Sequence, residues 1–236
     1  PYLKQRDIPR PGHADFTSRV KYRGYQDFRG GGAFSGRLTL GLVAAGVVAK
    51  RVLPDMRIES RILEASEGKL SSRIEEAVQA GDSVGAVIEC KVNGLEIGLG
   101  EPFFDSCESM LSHLIFSIPG IKGIEFGSGF MVAEKRGSQV NDTILDELGK
   151  TETNHSGGIN GGLTNGNELL FRVAVRPTPS ISRAQESFNF SSKRIESFKI
   201  EGRHDSCFAL RLPVVIEAVT AIILADLHLL NQKYGE

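Results

Sequence analysis

The chain has 236 residues, 40% of them hydrophobic, enough for a real core in one large domain or two small ones. Its 28 Lys and Arg nearly balance 29 Asp and Glu, a net charge of -1, which argues against a non-specific nucleic-acid coat or an acidic tail but leaves room for a local basic pocket. Cys90, Cys107 and Cys207 are far apart with no C-x-x-C pair, which argues against a disulfide framework or a metal site and fits a reducing, cytoplasmic compartment; no secretion signal opens the chain, and the most apolar stretch, residues 212–225, is short for a bilayer and contains Glu217.

Residues 1–34 are polar and rich in Pro, Gly and Arg, and read as loop. Residues 35–53 read as a helix with Ser35 as cap and Pro54 beyond its end. Its small residues, Gly36, Ala44, Ala45, Gly46 and Ala49, suit close packing. Ser72-Arg73-Ile74-Glu75 is a capping-box pattern for a helix to Ala80, closed by Gly81. Residues 84–92 read as a strand, and Asn93-Gly94 predicts a hairpin returning through 95–99. Asp105-Ser106-Cys107-Glu108 opens another helix, with Met110, Leu111, Leu114 and Ile115 on its apolar side and Pro119-Gly120 at its end. Residues 124–132 read as a strand, 137–167 as polar loop, 169–175 as a buried strand and 198–200 as a short one. A helix from Pro213 to about Leu230 is apolar on nearly all sides, so it is expected at the centre of the fold. The pattern predicts a single α+β domain over 1–236, helices packed on antiparallel sheets.

Five loops carry the candidate chemistry. In Arg10-Pro11-Gly12-His13-Ala14-Asp15 a Pro-Gly turn presents His13, an imidazole able to move a proton near neutral pH; a plain exposed loop histidine is the alternative. Arg29-Gly30-Gly31-Gly32-Ala33-Phe34-Ser35-Gly36-Arg37 runs into the predicted helix start, where backbone N–H groups and Arg37 favour an anion. It lacks the Gly-Lys-Ser/Thr of a nucleotide P-loop, and a glycine turn with a solvated arginine fits equally. Residues 153–166 hold two Gly-Gly pairs and three asparagines, suited to a flat polar ring or simply to a flexible loop. Arg176-Pro177-Thr178-Pro179-Ser180 is a stiff strand exit with two hydroxyls. Glu201-Gly202-Arg203-His204-Asp205-Ser206-Cys207 puts a cation, an imidazole and a carboxylate together. It is either a surface salt-bridge loop or a site in which Arg203 holds an anion and Asp205 handles a proton. His113 and His228 lie in predicted helices and read as packing or surface residues.

Taken together, RPGHAD at 10–15, RGGGAFSGRLT at 29–39 with VAAG at 43–46, NHSGGINGGLTNG at 154–166, RPTPS at 176–180 and GRHDSC at 202–207 closely resemble the chorismate synthase family, in order and spacing, over essentially the whole chain. The resemblance implies a β-α-β sandwich with helices between antiparallel sheets, usually a homotetramer. It also implies the anti-1,4-elimination of phosphate from 5-enolpyruvylshikimate 3-phosphate to give chorismate, with reduced FMN and no net redox change, in aromatic amino acid biosynthesis. By motif, His13 matches a proton donor near the flavin, and Asp205 an aspartate near flavin N5 that assists removal of the substrate proton. Arg37 and Arg203 match arginines that hold substrate or cofactor anions. Ala33, Phe34, Ser35, Pro119, Gly120, Gly161, Arg176, Pro177, Thr178, Pro179, Ser180 and Arg203 match flavin contacts. NADPH or a separate flavin reductase would supply the reduced flavin; neither nucleic acid nor membrane is implied.

The sequence departs from the family at several places. Leu38 and Leu42 stand where many members have Glu and Arg, a pattern shared with a variant subgroup. Arg176 replaces the lysine common before Pro-Thr, keeping charge but changing geometry. The family's N-terminal portion, with a Gly-x-Ser-His-Gly motif whose histidine acts at the leaving phosphate, has no counterpart in 1–236. An inactive folded fragment and a different phosphate-ligand module are the rival readings. Residues 1–236 alone are expected to show little turnover and weak FMN affinity; an assay with chemically reduced FMN that ran at ordinary family rates would overturn this.

Overall fold

A computed structural model describes residues 6–29, 31–63, 69–200, 202 and 204–232. In chain order the elements begin with α1 (Asp15–Lys21), α2 (Thr39–Val52), β1 (Arg57–Leu63), α3 (Leu70–Ala80), β2 (Ala86–Asn93), α4 (Cys107–Ile115) and β3 (Ile121–Phe126). They continue with α5 (Gly137–Val140), β4 (Ile159–Asn160), β5 (Leu163–Thr164), β6 (Leu169–Val175), β7 (Gln185–Asn189), β8 (Arg194–Phe198) and α6 (Pro213–Gln232). The mixture is the expected α+β class. The described residues form two compact units, one drawn from 1–38, 64–86 and 176–208, the other from 39–63, 87–175 and 209–236.

The second unit is built on a four-stranded sheet of order β1-β2-β6-β3, with β1 antiparallel to β2 and β3 antiparallel to β6. β6 shows why: Leu169, Phe171, Val173 and Val175 alternate along it and all four are buried, the period-2 signature of a strand with one face on a core. Helix α6 packs on β1, α2 and α4. Ten of its twenty residues are buried, and full burial of a side chain such as Ile216 or Leu224 contributes about 1.5–3 kcal/mol. Although its apolar stretch reads as short for a bilayer, α6 is long and apolar enough to cross one, and its packing on three neighbours is what marks it as a core helix.

Glu217, the one carboxylate in the first half of α6, is fully engaged. It accepts from the Ser60 backbone N–H at 3.1 Å, the Ser60 hydroxyl at 3.1 Å and Lys50 Nζ at 2.8 Å. It therefore ties α6 to β1 and α2 and satisfies a donor on a strand that ends the sheet. The close approach of α2 and α6 depends on Gly46, where a Cβ would overlap the Cβ of Ala218 and lie 2.6 Å from its Cα.

Several boundaries differ from the sequence expectation. α2 begins at Thr39, not Ser35; Gly32–Phe34 and Gly36–Leu38 form two 3-10 turns separated by an extended Ser35. β1 was not predicted, because its apolar residues are too few to stand out from flanking charge. Asn93-Gly94 does turn, with Gly94 at φ +78°, but residues 95–99 do not return along β2. They pair instead with 163–165, through Thr164 N–H to the Leu99 carbonyl at 3.0 Å, Gly98 N–H to the Thr164 carbonyl at 2.8 Å and a bridge from Ile97 to Asn165. α4 is capped by Ser106, whose side chain accepts from Ser109 N–H at 3.1 Å. The strand read at 124–132 is β3 followed by a 3-10 helix, Gly129–Glu134. The stretch 137–167, read as loop, holds α5 and the β4–β5 hairpin.

In the first unit α1, also missed, is held by the ring of Phe16 stacked on Phe190 at 6.2 Å, with Phe188 edge-on to Phe190 at 5.4 Å and the Arg19 guanidinium 4.6 Å above it. Those contacts to the β7–β8 hairpin, rather than a helical period in seven residues, decide the helix. α3 starts at Leu70, two residues before the predicted capping box, and ends as predicted: Gly81 at φ +65° and the bonds Gly81 N–H to Val78 and Asp82 N–H to Ala77 make a Schellman motif. The short strand read at 198–200 overlaps β8 only at Phe198.

Gly46→Val is expected to destabilise the fold by about 1–3 kcal/mol through overpacking against Ala218. Gly41→Ala, on the same helix with no atom within 4 Å of the new Cβ, is expected to stabilise it by about 0.5–1 kcal/mol. Thermal melts of the two variants should move in opposite directions.

Candidate active site

The first unit brings three of the predicted loops together. Arg10 and Asp15 close the 10–15 loop with a bidentate ion pair, Nε to Oδ2 at 2.7 Å and the second guanidinium nitrogen to Oδ1 at 2.8 Å, and Arg10 N–H also donates to Oδ2 at 3.0 Å. Burial would raise the Asp15 carboxyl, but the hydrogen bonds from Arg10 hold it below the usual carboxylate range. Inside this loop the His13 ring is clamped at both nitrogens: Nδ1 lies 3.0 Å from the Pro11 carbonyl and Nε2 2.7 Å from Ser180 Oγ. A carbonyl only accepts, so Nδ1 carries the proton and neutral Nε2 accepts from the Ser180 hydroxyl. Burial, followed by the nearby Arg10 charge, lowers the His13 pKa from 6.5.

Gly12 is the contact point with the 176–180 loop. It sits at φ +70°, and a Cβ there would lie 2.6 Å from the Arg176 guanidinium and 3.0 Å from Pro179 Cβ. Arg176 donates to the Gly12 carbonyl at 2.9 Å, so it serves to hold the His13 loop. The Thr178 hydroxyl oxygen is buried without a hydrogen-bond partner among the described residues, while the Thr178 carbonyl accepts from Ser83 Oγ at 2.7 Å. The chain of contacts then runs through Val84 N–H to the Ser206 carbonyl at 2.8 Å, next to Asp205, which is half-buried. His204 turns its Nε2 toward the Ile200 carbonyl at 3.4 Å. Arg203, expected on substrate or cofactor, lies outside the described residues, as does Gly30.

Residues 81–84 were missed as a site element. They read only as a helix stop and a strand start, although Gly-Asp-Ser between two elements is a signal for a shaped loop. Arg10 and Asp15 were likewise undervalued; charges flanking a Pro-Gly turn were the available clue. The glycine run at 31–36 does not feed an α-helix N-terminus, because two 3-10 turns intervene. Ala33, Phe34, Ser35 and Arg37 are surface residues of those turns, with Ser35 Oγ accepting from Arg37 N–H at 3.3 Å.

In the second unit the glycines of 154–166 divide by function. Cβ atoms on Gly157 and Gly158 would collide with the backbones of Gly127 and Glu168, so these glycines serve chain packing. The same loop is pinned by Asp142, which accepts from Thr153 Oγ and from the backbone N–H groups of His155 and Ser156 at 2.7–2.9 Å. Burial opposes ionisation of Asp142, but these bonds lower its pKa. Gly161 differs: at φ +61° in the β4–β5 turn it has nothing within 4 Å of a Cβ, an open backbone surface. Pro119 and Gly120, the latter at φ +94°, make the turn between α4 and β3.

A histidine with one assigned proton, fixed by its own loop and a hydroxyl, beside two arginines and joined by three hydrogen bonds to the loop of a half-buried aspartate, is equipment suited to moving protons on an anionic substrate. Comparison with known proteins narrows this class. The Chorismate synthase family profile matches residues 1–64 and 60–229. The chain is 56% identical to the chorismate synthase of Chitinophaga pinensis over 98% of its own length and 70% of that protein's, and 41% identical to that of Pyrococcus abyssi over 100% and 74%. A solved chorismate synthase crystal structure matches with a TM-score of 0.72 at 25% identity, covering 90% of this chain and 69% of the other. The chain belongs to the chorismate synthase family, lyases of aromatic amino acid biosynthesis.

The lowered pKa of His13 gives a sign for stability. Below 6.5 the unfolded chain binds a proton that the folded ring resists, so this group's contribution falls as pH drops through that window. Urea denaturation at pH 5 and pH 7 is expected to show a smaller loss on acidification for His13→Asn than for the parent; equal losses would contradict the clamped, neutral ring.

Proposed function

We propose that the protein containing this chain converts 5-enolpyruvylshikimate 3-phosphate to chorismate and phosphate by 1,4-elimination, with reduced FMN as cofactor. The observation that carries the reading is the His13 site: a neutral imidazole with a defined tautomer, joined to the 176–180 loop and, through residues 83–84, to the Asp205 loop. The residues fit a flavin. In the first unit the Thr178 hydroxyl is a buried polar atom without a partner among the described residues, which suits a hydrogen-bonding ligand; in the second, Gly161 offers an open main-chain surface.

When bound, reduced FMN supplies electron density to an electron-poor substrate ring. The chain's residues divide the remaining work. Asp205 takes the ring proton, Arg37 and Arg203 hold anionic groups of substrate or cofactor, and His13 handles a proton at Nε2, its Nδ1–H being committed to the Pro11 carbonyl. In the first unit Thr178, Ser180 and the 33–35 turn, and in the second Pro119, Gly120 and Gly161, are the cofactor contacts that the family motifs imply. Assembly as a homotetramer, a cytoplasmic location and reduction of the flavin by NADPH or a separate reductase belong to the same proposal.

The test is anaerobic turnover by protein containing this sequence, with FMN reduced chemically, following chorismate and phosphate release. Asp205→Asn is expected to lower kcat roughly 100-fold or more while FMN affinity stays close to the parent's; full turnover in that variant would remove Asp205 from the proton path. FMN is expected to bind more tightly when substrate is present, and equal affinity in both conditions would favour a different phosphate-ligand module.

A further inference from the structure

We infer that Ser180 is the positioning residue of the His13 imidazole, a role distinct from the cofactor contact that the family motif implies. The step His13 serves rests on the proposed function; the pairing rests on geometry alone. The Pro11 carbonyl fixes one ring nitrogen, because Nδ1 must carry hydrogen to sit 3.0 Å from an acceptor. That leaves Nε2 as the only nitrogen able to gain or lose a proton, and Nε2 meets Ser180 Oγ at 2.7 Å.

A hydroxyl suits this place because it can donate or accept. While the ring is neutral the Ser180 O–H donates to Nε2. When the ring gains a proton, the Ser180 hydroxyl passes its own hydrogen to Nε2 and takes one on its far side from the proton donor, so the contact reverses to Nε2–H donating to Oγ and the ring keeps its plane. The proton is therefore exchanged always on the Ser180 side. Backbone stiffness supports the arrangement: Pro179 precedes Ser180 and abuts Gly12, and Arg176 bonds the Gly12 carbonyl. The charged groups that face the ring are Arg10, already paired with Asp15, then Asp15 itself and Arg176. With both Arg10 and Arg176 bonded to acceptors, Ser180 is the side chain that contacts the titrating nitrogen.

Long-range proton–nitrogen NMR of the flavin-free protein tests the pairing without recourse to activity. The parent and Ser180→Thr should show His13 as a single tautomer protonated at Nδ1, with Nε2 hydrogen-bonded; Ser180→Ala should show a mixture of tautomers and a displaced Nε2 resonance. A Ser180→Ala spectrum unchanged at His13 would overturn the inference, and the threonine variant guards against mistaking misfolding for loss of the bond. In turnover, Ser180→Ala should lower kcat roughly 10-fold or more, part of the ~10²–10⁴ that a positioned acid or base supplies, with KM within about 2-fold and with the pH profile of kcat moved. Ser180→Thr should restore both. If the spectra change as expected while the pH profile stays in place, the pairing stands and the catalytic role proposed for His13 fails.

Discussion

The His13 site depends on one close approach: the Pro11-Gly12 turn lying against Arg176 and Pro179. A side chain at position 12 would push into the guanidinium and the proline ring, and the left-handed backbone there favours glycine in any case. From that contact the rest follows in short steps. The turn directs the Pro11 carbonyl at Nδ1, the proline-stiffened strand exit brings Ser180 to Nε2, and the half-buried Arg10–Asp15 pair closes the loop. The ion pair is bidentate and partly shielded, so it holds geometry where an exposed pair would hold little.

The second unit solves a different problem, placing a carboxylate in an apolar helix. Glu217 is tolerated because three donors reach it, two from Ser60 and one from Lys50. The Ser60 hydroxyl also reaches the Pro213 carbonyl at 2.8 Å and Lys50 is exposed, so the Ser60 N–H is the donor that depends on this carboxylate; a buried N–H left unpaired costs about 1–3 kcal/mol. The same residue occupies a backbone donor on the outer side of β1. Thr220, one turn further on, is fully buried and returns its hydroxyl to the Ile216 carbonyl at 2.8 Å. α6 thus carries its polar atoms into the core with their partners supplied, while Cys90 beside Thr220 is left a thiol whose pKa burial raises to about 12.

Much of this was legible in the chain. α6, β6, α4 and the Gly81 stop of α3 follow from apolar period, caps and glycine, and the motif loops identify the family without any coordinates. Other elements were hidden for identifiable reasons. α1 is too short to declare itself and exists because Phe16 stacks on Phe190. β1 mixes charged with apolar residues and shows no apolar run. The Asn93-Gly94 turn is real, but residues 95–99 found a better partner in Thr164 than in β2, a competition that local sequence does not reveal. Among the glycines of 154–166, sequence treats all four of the paired residues alike, whereas the fold uses Gly157 and Gly158 for chain packing and leaves Gly161 open.

By itself, then, the sequence determined the α+β class, the principal helices, the family and the residue types that handle protons and anions, because hydrophobic period, turn chemistry and motif spacing are properties of neighbours along the chain. Only the tertiary structure decided which nitrogen of His13 carries its proton, that Ser180 sits against the other, that Arg176 holds the Gly12 carbonyl, and that Ser83 and Val84 join the 176–180 loop to the Asp205 loop. The Pro11 contact spans two positions, but the others join residues from about 95 to 167 positions apart, and a hydrogen bond's direction is set by the geometry of both partners, which no local pattern encodes.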